Sequence, residues 1–396
     1  MMGSGQMSTD KFVTTGPAFD VEKLDRLLEE VDIDVVLVSS KHNIQYLLGG
    51  YRFHFYSYMD AQGLSRYLPF FIYVRGNLNK AAYIGHFLEN NEKDLGKFWV
   101  FNTNFNNVTT KQYASATVDF LKKNNLDGLK IGIEPSFLPV DAHNVLENAL
   151  TKNKLRDATF PLELLRTIKT PQELEIVKAA SEKVVDSMSA VFSNNSPGKT
   201  KNELINELRK EEQSRGLFFE YCLCNIGTEF NRSPSDQVWQ EGEVLCLDSG
   251  GNYNGYIGDL ARMGYAGYPD SELEDLLGFI EEVQQIARKP IKPGALGGEI
   301  YIEPDKLIKR SSFKNNLEFV AHGMGIVSHE GPWLTDRCSV PYEAYHAGRA
   351  LEKGMVISIE TTLHHSKRGF IKLEDTIAVT ESGWESYGDS ARGWNA

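Results

Sequence analysis

The sequence predicts an α+β protein, with a smaller N-terminal α/β domain followed by a larger C-terminal domain that carries two acidic hairpins. Three observations lead there. The chain has 396 residues, more than one hydrophobic core usually organises. Strand and helix patterns alternate up to about residue 160. Beyond that point, two apolar segments each double back around a polar turn with acidic residues on both arms. The expected division is 7–160 for the N-terminal domain and 161–396 for the C-terminal one, with 1–6 set aside as an expression scar and Met7 as the native start.

Asp20 before VEKLDRLLEEV reads as an N-capped amphipathic helix, because a side-chain oxygen there satisfies an orphaned helical N–H. DVVLVSS follows as a buried strand. PFFIYV around Phe70 to Val74, KAAYIG around Ala82 to Ile84 and KIGIE ending at Glu134 read as further strands, with a helix from Lys111 to Lys123 between the last two. These alternating elements predict a mixed sheet with helices against it. In LELLRTIKTPQELEIVKAA the texture changes, and Thr170 with Pro171 marks a helix start. Helical patterns follow near 172–193 and 200–215, strands near 217–226 and 243–249, and a third helix from Ser271 to Arg288.

Composition narrows the function classes. The 54 acidic against 42 basic residues, with no long Lys/Arg tract, argue against a nucleic-acid partner. No uninterrupted apolar run of about 18 residues is present to span a bilayer. The opening MMGSGQMSTDKF lacks the regions of a signal peptide, so a cytoplasmic protein with no membrane partner is expected. Cys222, Cys224, Cys246 and Cys338 are too few and too irregularly spaced for a disulfide framework, and reduced thiols are expected. Cys222 and Cys224 fall on one strand face, where burial is favoured over metal binding.

The chemistry concentrates in the two hairpins. EVLCLDSGGNYNGYIGDLARMGY reads as a strand, a Gly/Asn-rich turn and a returning strand carrying Asp248 and Asp259. Pairing the two aspartates centres the turn between Tyr253 and Asn254 and sets their Cβ atoms roughly 5 Å apart. Like charges so placed destabilise a sheet unless something positive lies between them, and a cation meets that need. The alternatives are aspartates that merely end the turn, or a bulge at Gly251 that shifts the register. GMVISIETTLHHSKRGFIKLEDTIAVT repeats the pattern, with Glu360 facing Glu374 about a turn centred on Lys367. Solvated surface glutamates are the alternative there, against the apolar, β-branched setting of SIETT. His322, in FVAHGMGIVSHEGP, has glycines beside it that let the backbone approach a site closely, though a satisfied core histidine reads the same way. The four carboxylates carry about −4, which two divalent cations would cancel, and His322 adds a neutral nitrogen donor.

Together these residues resemble the creatinase, aminopeptidase P, prolidase and methionine aminopeptidase group, which shares the pita-bread fold. LRTIKTPQELEIVKAA resembles the lead-in to its catalytic domain, LDSGGNYNGYIGDLAR its paired-aspartate hairpin, and HGMGIVSHEGP its histidine motif. LEKGMVISIE and LEDTIAVTESG resemble its two glutamate strands, and DVVLVSSKHNIQYLLGG the smaller domain of the prolidase and creatinase branch. The resemblance implies a C-terminal pita-bread domain holding two divalent metal ions (Mn, Co, Fe or Zn) on Asp248, Asp259, His322, Glu360 and Glu374. Asp248 and Asp259 would hold the first ion, His322 and Glu360 the second, with Asp259 and Glu374 bridging both. It further implies attack by a metal-bridged hydroxide, Glu360 as proton shuttle, and His329 as a contact to the oxyanion or a substrate carboxylate. Arg262 is a candidate substrate clamp, or else a structural charge partner. His54 lies in the aromatic-rich YRFHFYSYMDAQGLSRYLPF, which in relatives leans over the active site of a partner subunit; a homodimer is implied by the family alone.

The implied reaction is cleavage of a C–N bond by an Xaa-Pro dipeptidase or aminopeptidase. Some residues depart from the pattern. EFNRSPSDQVW has Asn231 and Arg232 where peptidases of this branch carry a histidine, Thr361 follows Glu360 in place of proline, Ala261 replaces a threonine, and Lys372 stands where an arginine is common. The ligand set stays whole while the Xaa-Pro assignment weakens. Two alternatives therefore stand: a creatinase-like amidinohydrolase or metal-dependent lyase acting on a small charged metabolite, and an inactive pita-bread protein that binds peptides or other proteins.

Overall fold

The computed structural model describes residues 16–150, 154–337 and 343–395, so residues 1–6, the expected start at Met7 and Cys338 lie outside the described residues. The chain divides into two compact units, Met1–Leu165 and Arg166–Ala396.

In the first unit, Asp20 caps α1 (Val21–Glu30) by accepting from the Lys23 amide. The elements then run β1 (Val35–Val38), α2 (Lys41–Leu47), β2 (Phe70–Val74), β3 (Ala82–His86), α3 (Asn90–Asp94), β4 (Asn102–Asn107), α4 (Thr110–Lys123), β5 (Ile131–Ile133), α5 (Val140–Ala149), β6 (Arg156–Asp157) and α6 (Thr159–Arg166). The sheet is mixed, in the order β4-β3-β2-β1-β5-β6, with β1 antiparallel to β2 and parallel to β5. Every residue of β1, β2 and β3 is buried, which is why these strands read as continuous apolar runs rather than as alternations. Glu89 lies in this interior, where it accepts from the Tyr51 and Tyr83 hydroxyls at 2.9 and 2.8 Å and from the His86 amide at 2.5 Å. Burial outweighs those bonds and pushes its carboxyl up to about 7.

The second unit opens with α7 (Pro171–Asn194), started by a capping box between Thr170 and Glu173. It continues through α8 (Lys201–Ser214), β7 (Phe218–Ile226), β8 (Val244–Tyr253), β9 (Tyr256–Tyr265), α9 (Ser271–Arg288), α10 (Ile302–Arg310), β10 (Leu317–Gly323), β11 (Val356–His365), β12 (Gly369–Val379), β13 (Trp384–Tyr387) and β14 (Trp394–Asn395). Its sheet runs β10-β11-β12-β9-β8-β7, with β13 on β12 and β14 on β9. Period-two alternation sorts the two faces. Leu245, Leu247 and Leu260 pack with Val184, Val185, Leu204 and Leu208 of α7 and α8. Ile357, Ile359 and Leu373 pack with Ile280 and Val283 of α9. Asp248, Asp259, Glu360 and Glu374 alternate with these and fall on the opposite face. The helical side is close-packed: a Cβ on Gly258 would come within 2.7 Å of the α7 backbone at Ala180.

The first hairpin turns one position later than its spacing predicts. Asn254 and Gly255 take the turn with φ of 49° and 94°, the left-handed pair that a two-residue type I′ turn requires and that Asn-Gly supplies at least cost. The register is therefore Asp248↔Ala261 and Gly250↔Asp259, not Asp248 opposite Asp259. The shift preserves parity, so both aspartates keep the same face as diagonal neighbours. No bulge occurs at Gly251; the irregularity lies in β7, between Phe219 and Tyr221. The second hairpin has Glu360 opposite Glu374, as its spacing predicts.

Among the described residues, no helix is long and apolar enough to cross a membrane. Cys222, Cys224 and Cys246 are buried free thiols.

Candidate active site

One row of paired residues crosses the sheet from edge to edge: Val320 on β10, Glu360 on β11, Glu374 on β12, Ala261 on β9, Asp248 on β8 and Leu223 on β7. Period-two geometry puts all their side chains on one face. Asp259 lies two residues before Ala261 and His322 two after Val320, so both stand on that face, on one side of the row. Lys372, two residues before Glu374 and paired with Thr362, stands on the other side. Gly250, opposite Asp259, gives room to the Tyr221 ring, which a Cβ there would meet at 2.4 Å. The Tyr221 hydroxyl bonds Asp259, and burial together with Asp259 and Asp248 holds its pKa well above the usual value.

Asp259, His322 and Glu374 each bring one ligand atom to within 4.8 Å of the others. His322 Nε2 is buried with no hydrogen-bond partner, 3.7 Å from Glu374 Oε1 and 3.9 Å from Glu360 Oε1. An imidazole nitrogen left bare inside a ring of carboxylates fits a cation ligand, and the mixed N/O set suits a divalent transition metal. The cluster lines a cavity of about 440 Å³ that also takes in His329, Arg232 and Tyr221.

The carboxylates are crowded, and their titration shows it. Burial, then Glu374 and Asp248, push the Asp259 carboxyl well above the carboxylate range. Burial also raises Asp248, against the opposing pull of Lys372 and Arg232. For Glu374 the opposite outcome holds, because Lys372 and His322 overcome burial and keep it below the usual range. His322 is moved by the carboxylates around it: despite burial, Glu374, Glu360 and Asp259 lift it to about 9. Lys372 is the hub of this network. Its Nζ lies 2.6 Å from Asp248 Oδ2, 2.6 Å from Glu360 Oε2 and 2.9 Å from Glu374 Oε2. Arg232 also pairs with Asp248 Oδ2 and lies over the Phe370 ring.

His329 stacks on His322 with ring centroids 3.9 Å apart and planes 14° from parallel. Burial and the His322 charge push its pKa down to about 4, so it is neutral near pH 7. The next residue anchors its loop. Glu330 is buried and paired with Lys169 at 2.8 Å and Arg166 at 3.3 Å, and its amide bonds the Gly323 carbonyl.

The five residues proposed as metal ligands thus share one face and one cavity, with His329 beside them. Arg262 does not join them. One position past Ala261, it faces the helical side, fully buried, where its guanidinium binds Asp375 at 2.9 Å and the carbonyls of Ser390, Glu374 and Gly388. It is a structural charge partner that holds the backbone of Glu374, in a network where Arg288 and Arg392 also pair with Asp375. His54 lies in the N-terminal unit, in the short 3₁₀ turn His54–Ser57, exposed and against the rings of Phe53 and Phe55. Sequence reading missed Tyr221, Lys169 and Glu330 as site residues and took Lys372 only as a departure. The period-two spacing of Lys372 to Glu374 was the available signal for its placement.

Comparison with known proteins agrees with this geometry. Residues 175–381 match the model of metallopeptidase family M24, and residues 21–168 match the creatinase/prolidase N-terminal domain. An uncharacterized peptidase of Bacillus subtilis is 24% identical over 371 residues, covering 92% of this chain and 96% of its own. An Xaa-Pro dipeptidase of Pyrococcus furiosus is 24% identical over 374 residues, covering 92% and 95%. Among solved structures, an Xaa-Pro dipeptidase from Bacillus anthracis superposes with a TM-score of 0.78 at 22% identity, covering 94% of this chain and 98% of that one. The prolidase of Pyrococcus horikoshii gives 0.75 at 21%, covering 93% and 97%. The fold is that of the pita-bread prolidases, and the chain belongs to metallopeptidase family M24 as a metallohydrolase with a creatinase/prolidase-type N-terminal domain.

Proposed function

We propose that the chain is a cytoplasmic dipeptidase or aminopeptidase that hydrolyses the C–N bond of an Xaa-Pro unit, using divalent metal held by Asp259, His322 and Glu374 with Glu360. The observation that carries this reading is the convergence of those groups with His329 at one cavity, in a family of metallopeptidases. Bound metal supplies Lewis acidity, polarising a carbonyl and lowering the pKa of water. Mn, Co, Fe and Zn all suit the donor set. The protein's own groups do the rest. Lys372 holds Glu360 Oε2 in place, and the Glu360 carboxylate takes a proton from the attacking water and returns it to the leaving nitrogen. The neutral His329 donates a hydrogen bond to the carbonyl oxygen as negative charge develops there. In this reading the chain forms a homodimer, and the segment around His54 borders the partner's site.

A second reading rests on one feature. Arg232 lines the cavity where a peptidase histidine was expected, and its cation would suit the carboxylate of a small charged metabolite processed by an amidinohydrolase or lyase. The test reconstitutes the protein with each metal and offers Xaa-Pro dipeptides beside betaines, guanidino compounds and sulfonium metabolites. Dipeptide cleavage is expected, with metal content and turnover both lost in Asp259→Ala and in Glu374→Ala. Full metal retention in either variant would defeat the ligand assignment, and turnover of a small metabolite alone would move the reading to the second class.

A further inference from the structure

We infer that this site holds one divalent ion per chain, with the Lys372 ammonium standing in place of a second. The inference rests on the metal-dependent reading above and fixes how many ions that reading needs.

Sorting the ligand oxygens by what already occupies them gives the first argument. Asp248 Oδ2 is shared by Lys372 and Arg232, while Glu360 Oε2 and Glu374 Oε2 both face the Lys372 ammonium. Away from the ammonium lie Glu360 Oε1, the partnerless His322 Nε2, Glu374 Oε1, which accepts only from the neutral Ser358 hydroxyl at 2.9 Å, and Asp259 beside the neutral Tyr221 hydroxyl; of these Asp259, His322 and Glu374 converge within 4.8 Å as a donor set for one cation. A second ion would have to displace the ammonium from three carboxylates.

The architecture explains how a lysine reaches that point. Lys372 lies on the opposite side of the row from Asp259 and His322. Between Glu374 and Asp248 the row contains only the methyl group of Ala261. That gap leaves room for the lysine side chain to extend from β12 across β9 to Asp248 on β8, and the side chain is only 4% exposed.

Charge gives the same count. Asp248, Asp259, Glu360 and Glu374 carry about −4 when ionised, and Lys372 with Arg232 returns about +2. One divalent cation brings the cluster to neutrality; two would leave about +2 in a buried pocket, where uncompensated charge is costly.

The test loads the full-length protein with saturating Mn²⁺, removes free ion, and measures metal per chain together with the electron paramagnetic resonance spectrum. One Mn per chain with an uncoupled six-line signal is expected. Two per chain with an exchange-coupled spectrum would overturn the inference while leaving the metal-dependent reading standing; no retained metal would overturn both. The double variant Lys372→Met/Arg232→Gln is expected to rise to two ions per chain. A double variant that folds and still binds one ion would overturn the role given to the ammonium. Lys372→Gln alone, which keeps a hydrogen-bond donor, repeats the test should the double variant not fold, with a weaker second ion expected and its absence counting against the inference.

Discussion

Glu330→Gln tests whether the loop carrying His329 is held by charge. In the folded protein the Glu330 carboxylate is 1% exposed and faces two cations that are equally buried, Lys169 at 2.8 Å and Arg166 at 3.3 Å. The substitution keeps shape and a hydrogen-bond acceptor but removes the negative charge that Lys169 and Arg166 share. Removing one member of a buried pair costs about 3–5 kcal/mol, and the retained amide oxygen sets the expectation near the lower end, about 3 kcal/mol. Urea unfolding at pH 7.5, followed by tryptophan fluorescence, reads this directly, since Trp333 lies three residues beyond Glu330. Lys169 and Arg166 overcome burial to hold the Glu330 carboxyl below its ordinary 4.5, so the pair stabilises the fold above that value. The wild-type advantage should therefore persist at neutral pH and shrink as pH falls below about 4.5. Turnover should drop with it, because the peptide linking Glu330 to His329 loses its anchor. A loss below about 1 kcal/mol with unchanged kcat would refute the argument.

The remaining predictions concern the rest of the scaffold. Burial raises Glu89 to about 7 from an ordinary 4.5, so its contribution is fully present below 4.5 and is lost as pH rises through 7. That difference corresponds to at most about 3 kcal/mol, and Glu89→Gln should flatten this part of the stability profile between pH 5 and 8; an unchanged slope would rule Glu89 out as its source. Gly258→Ala should cost about 1–3 kcal/mol, because the new methyl meets the α7 backbone, which cannot yield as a flexible side chain would. A wild-type melting temperature for that variant would show that α7 can move away from β9 at little cost.

How much of the site was legible in the sequence depends on how local each determinant is. The Glu360 and Glu374 pairing is local: two apolar arms around a short polar turn admit one in-register solution, and the structure has it. The Asp248 and Asp259 hairpin is equally local, but its turn is chosen by backbone conformation. Asn254 and Gly255 accept the two left-handed positions, and that chemistry moves the centre by one residue without changing the face. Arg262 was decidable from parity alone, since a residue adjacent to Ala261 must project to the helical side of the sheet. The join between the two hairpins was not legible. It rests on a single pairing, Glu374 with Ala261, made between strands separated by more than a hundred residues, and no periodicity within either hairpin encodes it. That one pairing sets Asp248 in line with the glutamates and lets Lys372 reach it across Ala261. The positive charge that Lys372 brings to the acidic row therefore comes from a residue whose place is invisible until the sheet is closed.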